Sequence, residues 1–227
     1  AGWALLLVSA FYINIYLFVM AAGIYAAAAV SVMQARSVRY WWHATVPLWA
    51  VLISLPLTLM PLPAGGVTQE WGFGYYSMNA LSPFIGGRII QWTAEVGPGQ
   101  YEGFNYLGLG VLIALVLVCG SSATRAHAKE ALRRHWALAL LLLGYSVYAL
   151  SNQIYIGSTQ IATVSYPGIT NALTSQFRVS GRFFWPVAYV LMIGLWWLLY
   201  NRYGKRRFLF VAIALTVVQL ADLTSVY

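Results

Sequence analysis

The feature that most constrains this chain is the length of its uncharged apolar runs. An α-helix rises about 1.5 Å per residue, so roughly 20 apolar residues cross the hydrocarbon core of a bilayer. No charged residue occurs between Trp3 and Met33, and further apolar runs cover Thr45 to Leu62, Tyr106 to Gly120, Trp136 to Asn152, Phe183 to Tyr200 and Phe208 to Leu223. These runs predict an all-α membrane protein of about six transmembrane helices. The first run is longer than one crossing needs, so it is either strongly tilted or broken near Tyr12 to Asn14. Two long connections, 64–105 and 153–182, separate the runs, and the link 121–135 reads as a short amphipathic helix. Only 8% of residues are charged and 61% are hydrophobic, against roughly 25% charged in a soluble domain.

The charges give an orientation. Arg36, Arg39, Arg125, Lys129, Arg133, Arg134, Arg202, Lys205, Arg206 and Arg207 fall on one set of alternate links. The other set holds Arg88, Arg178 and Arg182, together with Glu70, Glu95, Glu102 and Asp222. Positive links stay in the cytoplasm, which places both long loops and both chain ends outside. The net charge of +8 is therefore an orientation signal. Scattered between apolar runs, these cations form no face for nucleic acid. The chain reads as a single transmembrane domain over 1–227, and its opening Ala-Gly-Trp suggests a piece of a longer protein.

Several chemistries are excluded. Cys119 is the one cysteine, so no internal disulfide forms. His43, His127 and His135 lack metal-ligand spacing, and no spacing supports a metal held by Glu70, Glu95, Glu102 and Asp222. There is no Gly-x-Ser-x-Gly elbow, Walker loop, His-Glu-x-x-His or dinucleotide fingerprint, which argues against a hydrolase or an ATP-driven pump.

The candidate site lies in the outside loops. Arg178 and Arg182 stand four apart at the mouth of the run beginning at Phe183, a spacing that puts both on one helical face. Such a pair suits a phosphate or carboxylate; headgroup-binding interface anchors are the alternative. Glu102 occupies the matching position before the third run, where it is a candidate for acid–base chemistry or for structural pairing with either arginine. Trp71, Tyr75 and Trp92 are aromatics that stack on sugar rings or form an interfacial belt. Asp222 and Gln219 share a face near the end of the last run.

The strings Tyr12-Ile-Asn-Ile-Tyr-Leu-Phe-Val-Met20, Gly72-Phe-Gly-Tyr-Tyr-Ser-Met-Asn79, Tyr101-Glu-Gly-Phe-Asn-Tyr-Leu-Gly-Leu-Gly110, Phe177-Arg-Val-Ser-Gly-Arg-Phe-Phe-Trp-Pro186 and Gln219-Leu-Ala-Asp222 resemble, together and in this order, a family of bacterial polytopic membrane proteins without an assigned activity. That family looks related to the GT-C glycosyltransferases, with this chain as the C-terminal transmembrane half. The resemblance implies transfer of a sugar from a polyprenyl-phosphate donor to a cell-envelope glycan or lipid on the outer face of the inner membrane. It implies that Arg178 and Arg182 hold the donor phosphate, and that Glu70, Tyr76, Asn79, Asn105, Tyr106 and Asp222 shape the sugar or acceptor pocket beside Glu102. It places the general base upstream of these residues and leaves a divalent metal open. The partners so implied are the polyprenyl-phosphate lipid, a glycan acceptor, membrane lipids and the remainder of a longer chain. Three alternatives stand beside it: an O-antigen-type ligase or polymerase, a lipid-linked sugar transporter, and a structural membrane subunit. The near absence of mid-span charge weighs against the transporter.

Overall fold

A computed structural model of the chain describes residues 2–33, 39–58, 72–91, 99–165 and 177–224. They form two compact units, one from 1–69 with 134–143 and the other from 70–133 with 144–227.

The first unit contains α1 (Gly2–Ile13), α2 (Ile15–Met33) and α3 (Arg39–Thr58). The long first run is broken, and the break is at Asn14. Its side-chain oxygen accepts the Tyr16 amide at 2.8 Å, the bond that an N-cap makes to start a new helix. The chain then folds back on itself. The rings of Phe11 and Phe18 meet at 5.3 Å and those of Trp3 and Tyr25 at 5.0 Å, whereas residues 22 apart on a straight helix would lie about 33 Å apart. Leu7, Tyr25 and Val51 make the common core, and hydrogen bonds from Tyr25 to Ala44 O (2.6 Å) and from Tyr12 to Ser54 (3.0 Å) tie α3 to both arms. The first run is therefore a helical hairpin rather than one crossing.

The second unit is built around α4 (Leu109–Cys119), with α5 (Ser122–Arg134), the C-terminal part of α6 (Trp136–Leu150), strands β1 (Gln153–Ile156) and β2 (Thr159–Thr163), and a long apolar stretch, α7 (Trp185–Leu223). Short 3-10 turns at Gln100–Gly103 and Ser180–Phe184 precede α4 and α7. α7 is also a hairpin. Gly204 has φ 67 and ψ 166, a conformation essentially confined to glycine. The arms 185–203 and 205–223 lie side by side, with Trp196 and Tyr200 against Phe208 at 6.1 and 5.4 Å between ring centroids. Each arm is about 28 Å long, close to the thickness of a bilayer core.

α4 is apolar and short, and side chains from other elements saturate its two ends. At its start the Asp222 carboxylate accepts the Leu109 amide (3.1 Å), and the Gln219 amide oxygen accepts those of Gly110 and Val111 (2.8 and 3.3 Å). At its end Arg202 donates to Leu117 O (2.6 Å), Thr124 to Val118 O (2.5 Å) and Arg125 to Cys119 O. Free backbone groups cost several kcal/mol in hydrocarbon, and an acid at the N-terminus with cations at the C-terminus also suits the helix dipole. α5 then leaves at 100° to α4, the polar helix expected from the link 121–135.

Several polar side chains are fully buried while many large apolar ones are exposed. The largest fully buried side chains are Leu7, Leu199, Asn79, Asp222, Ser77, Ser82 and Ser180, while Ile13, Ile193 and Phe210 are about 70% exposed or more. Lipid tolerates exposed leucines and phenylalanines but not unpaired polar groups. Two helices are long and apolar enough to cross a membrane, or up to three if the bent α4–α5 pair is one crossing. The all-α expectation gives way in the second long connection, where β1 and β2 pair antiparallel. Gly157-Ser158 joins them, with Gly157 at φ 58, as two-residue hairpin turns require.

Candidate functional site

The connections expected as long loops are, where described, a packed platform over the ends of α4, α6 and α7. Asn79, 2% exposed, is its central strut. Its amide nitrogen donates to Gly157 O (2.9 Å) and Gln100 Oε1 (3.3 Å), and its oxygen accepts the amides of Leu81 and Gly157, both at 3.1 Å. This residue locks the β-hairpin turn onto the first connection. Asn105 is a second strut: its amide nitrogen donates to Gly103 O and Gly181 O, both at 2.9 Å, and its backbone amide to Ser82 Oγ at 2.6 Å. A Cβ added at Gly181 would overlap Gly103, and one added at Gly103 would overlap the Ser77 carbonyl. The glycines therefore allow two backbone segments, 101–105 and 179–183, to touch.

That contact brings Glu102 and Arg182 together. Arg182 Nη2 lies 2.8 Å from Glu102 Oε2, with the two side chains 32% and 24% exposed. The Arg182 guanidinium sits 5.8 Å from the Trp185 ring centroid, and that of the exposed Arg178 sits 5.9 Å from the Tyr76 ring. An aromatic face favours a cation while leaving its N–H fork open to an anion. Below, Phe183 is wedged among Tyr145, Tyr148 and Phe177 with centroids at 5.5, 4.7 and 5.6 Å, which fixes the segment carrying Arg182.

Asp222 occupies a different place. It is fully buried, and its carboxylate accepts the Ile89 amide (3.0 Å), the Tyr106 hydroxyl (2.6 Å) and the Leu109 amide. The Tyr106 hydroxyl is the donor in its bond to Asp222. Tyr106 and Asp222 are thus a joint between the platform and α4. The structure brings Glu102, Arg178, Arg182 and Tyr76 into one partly exposed cluster, and it places Asn79, Asn105, Tyr106 and Asp222 as struts beneath. Glu70, Trp71, Trp92 and Glu95 lie outside the described residues.

Sequence reading missed Ser77 and Gln100. Ser77 Oγ and Gln100 Nε2 are buried without a hydrogen-bond partner among the described residues. Ser77 falls in the Gly-Phe-Gly-Tyr-Tyr-Ser-Met-Asn string, but nothing in its spacing marks it. Trp185 was legible only as the start of a span. Among the described residues no three His, Cys, Asp or Glu side chains come together to hold a metal.

Compared with curated proteins and with solved structures, the chain matches none. A family model described as a domain of unknown function, DUF6311, matches residues 1–224, and the chain accordingly belongs to the DUF6311 family.

Proposed function

We propose that the Arg178–Arg182 end of the chain holds the phosphate of a polyprenyl-phosphate-linked sugar, as part of a GT-C-like glycosyltransferase module of the bacterial inner membrane. The basic links would face the cytoplasm and the platform the periplasm. The observation that carries this reading is the arginine cluster. Two guanidinium groups stand at the head of an apolar arm, each against an aromatic ring, and one is paired with a carboxylate that remains partly exposed. A lipid phosphate arriving along the membrane surface meets both forks with its tail already in hydrocarbon. It needs only to share or replace Glu102 on Arg182. Glu102 in this reading holds Arg182 in place before the donor arrives, and its exposed edge faces the same space as the acceptor. Asn79, Asn105, Tyr106 and Asp222 shape the site through the backbone they hold rather than by touching sugar.

The test is native mass spectrometry of the protein purified in mild detergent with its lipids retained. A polyprenyl-phosphate species bound to the wild type and lost from Arg178→Ala/Arg182→Ala is expected. Bulk phospholipid alone, equal in both proteins, would sink the proposal and return the arginines to the role of interface anchors.

A further inference from the structure

The opposite end of the second unit carries a separate feature. Arg202 and Arg125 both reach the last carbonyls of α4, so the turn at Gly204 and the start of α5 lie at the same end. Arg125, Lys129 and Arg133 of α5 are exposed, as are Arg202 and Lys205–Arg207 beside the turn. Glu130 is the one acid in these two segments, and among the described residues no ion pair joins it to any of these cations. Two cations at one helix end exceed the roughly half charge that the α4 dipole supplies there, so the cluster carries an uncompensated positive field. Exposed apolar side chains flank it: Val116 at the end of α4, Leu132 on α5 and Leu209 and Phe210 after the turn are each 57–75% exposed. A polar helix at 100° to an apolar one, with basic and apolar residues side by side, is the geometry of a segment lying in a bilayer interface.

We propose that α5 and the Gly204 turn together form a binding surface for anionic phospholipid headgroups, distinct from the Arg178–Arg182 end. The occupant is a lipid because the cations border apolar side chains that an acidic protein would leave unsatisfied but acyl chains cover. Several Lys and Arg at a membrane surface attract anionic lipid additively, and the attraction is screened by salt.

The experiment mixes the full chain, purified in detergent, with equimolar phosphatidylglycerol and phosphatidylcholine and measures the ratio of the two bound lipids by native mass spectrometry. The compared variant is Lys129→Gln/Arg133→Gln/Lys205→Gln/Arg206→Gln, which leaves the α4-capping Arg125 and Arg202 in place. The expected result is a clear excess of phosphatidylglycerol on the wild type and on Arg178→Ala/Arg182→Ala, falling about fivefold or more in the quadruple variant. If that variant does not fold, raising salt on the wild type replaces it, and the excess should fall towards parity. A ratio near one on the wild type overturns the proposal. So does an excess unmoved by the four substitutions or by salt, or one lost only with Arg178 and Arg182.

Discussion

Three residues show how this chain uses polarity. Asp222 reads along the sequence as part of a sugar or acceptor pocket, yet its carboxylate accepts hydrogen bonds from Ile89 N, Leu109 N and the Tyr106 hydroxyl. An Asp222→Asn side chain keeps the shape but must turn an NH2 towards one of those donors. A loss of about 3 kcal/mol in stability is expected, measured by unfolding in detergent; an unchanged midpoint would contradict the capping role. Glu102 differs because its pair with Arg182 is partly exposed. Removing its charge leaves Arg182 available, so Glu102→Gln should keep polyprenyl-phosphate binding or tighten it by about threefold; lost binding would show that the carboxylate itself contacts the ligand. Gly181→Ala should do more harm than either, since its new methyl meets the backbone of Gly103. The expected outcome is loss of both folded yield and lipid binding, read by size-exclusion profile and mass spectrometry.

At the scale of elements, hydropathy located the helices but not their direction. The stretch 3–33 reads as one apolar run, tilted or broken near Tyr12 to Asn14, and 183–200 and 208–223 read as two. In the structure 3–33 and 185–223 form hairpins, one pivoting on Asn14 and one on Gly204. The second was legible, because Asn201 to Arg207 interrupts the run with charge. For the first, only Asn14 within an apolar stretch hinted at a restart, and a single polar residue is also tolerated in a straight helix. The Gly-Ser turn between Ile156 and Thr159 signalled the β-hairpin, but its flanking residues were read as a polar connection. The arginine–glutamate pair was legible because both residues sit at the starts of spans. The struts were not, since Asn79 and Asn105 act through partners as far as 78 residues away. A direct check of the α7 hairpin uses spin labels at Tyr189 and Val217, both exposed. A continuous helix would separate them by about 42 Å. The folded pair should bring them under about 25 Å, and Gly204→Ala should destabilise this state by about 1–3 kcal/mol.

At the largest scale, the decisive property of the second unit is that its charged side chains gather at two ends. One end of the second unit holds the platform, with Glu102, Arg178 and Arg182. The other holds the α4 C-terminus with Arg125, Arg202 and the Gly204 turn. Between them the two arms of α7 expose apolar side chains such as Tyr189, Ile193, Ile213 and Val217, which a hydrocarbon slab would cover. In the proposed orientation, the charge asymmetry selects which end translocates. Cys119 is exposed at the end of α4, so Cys119→Ala comes first, followed by single cysteines as Ser158→Cys on the β-hairpin turn and Ala126→Cys on α5. In intact cells with a permeable outer membrane, a membrane-impermeant maleimide should label the first and spare the second. Labelling of the second should appear only after the inner membrane is opened. Equal labelling of both before that step would mean that the two polar ends share one side and would overturn the proposed orientation.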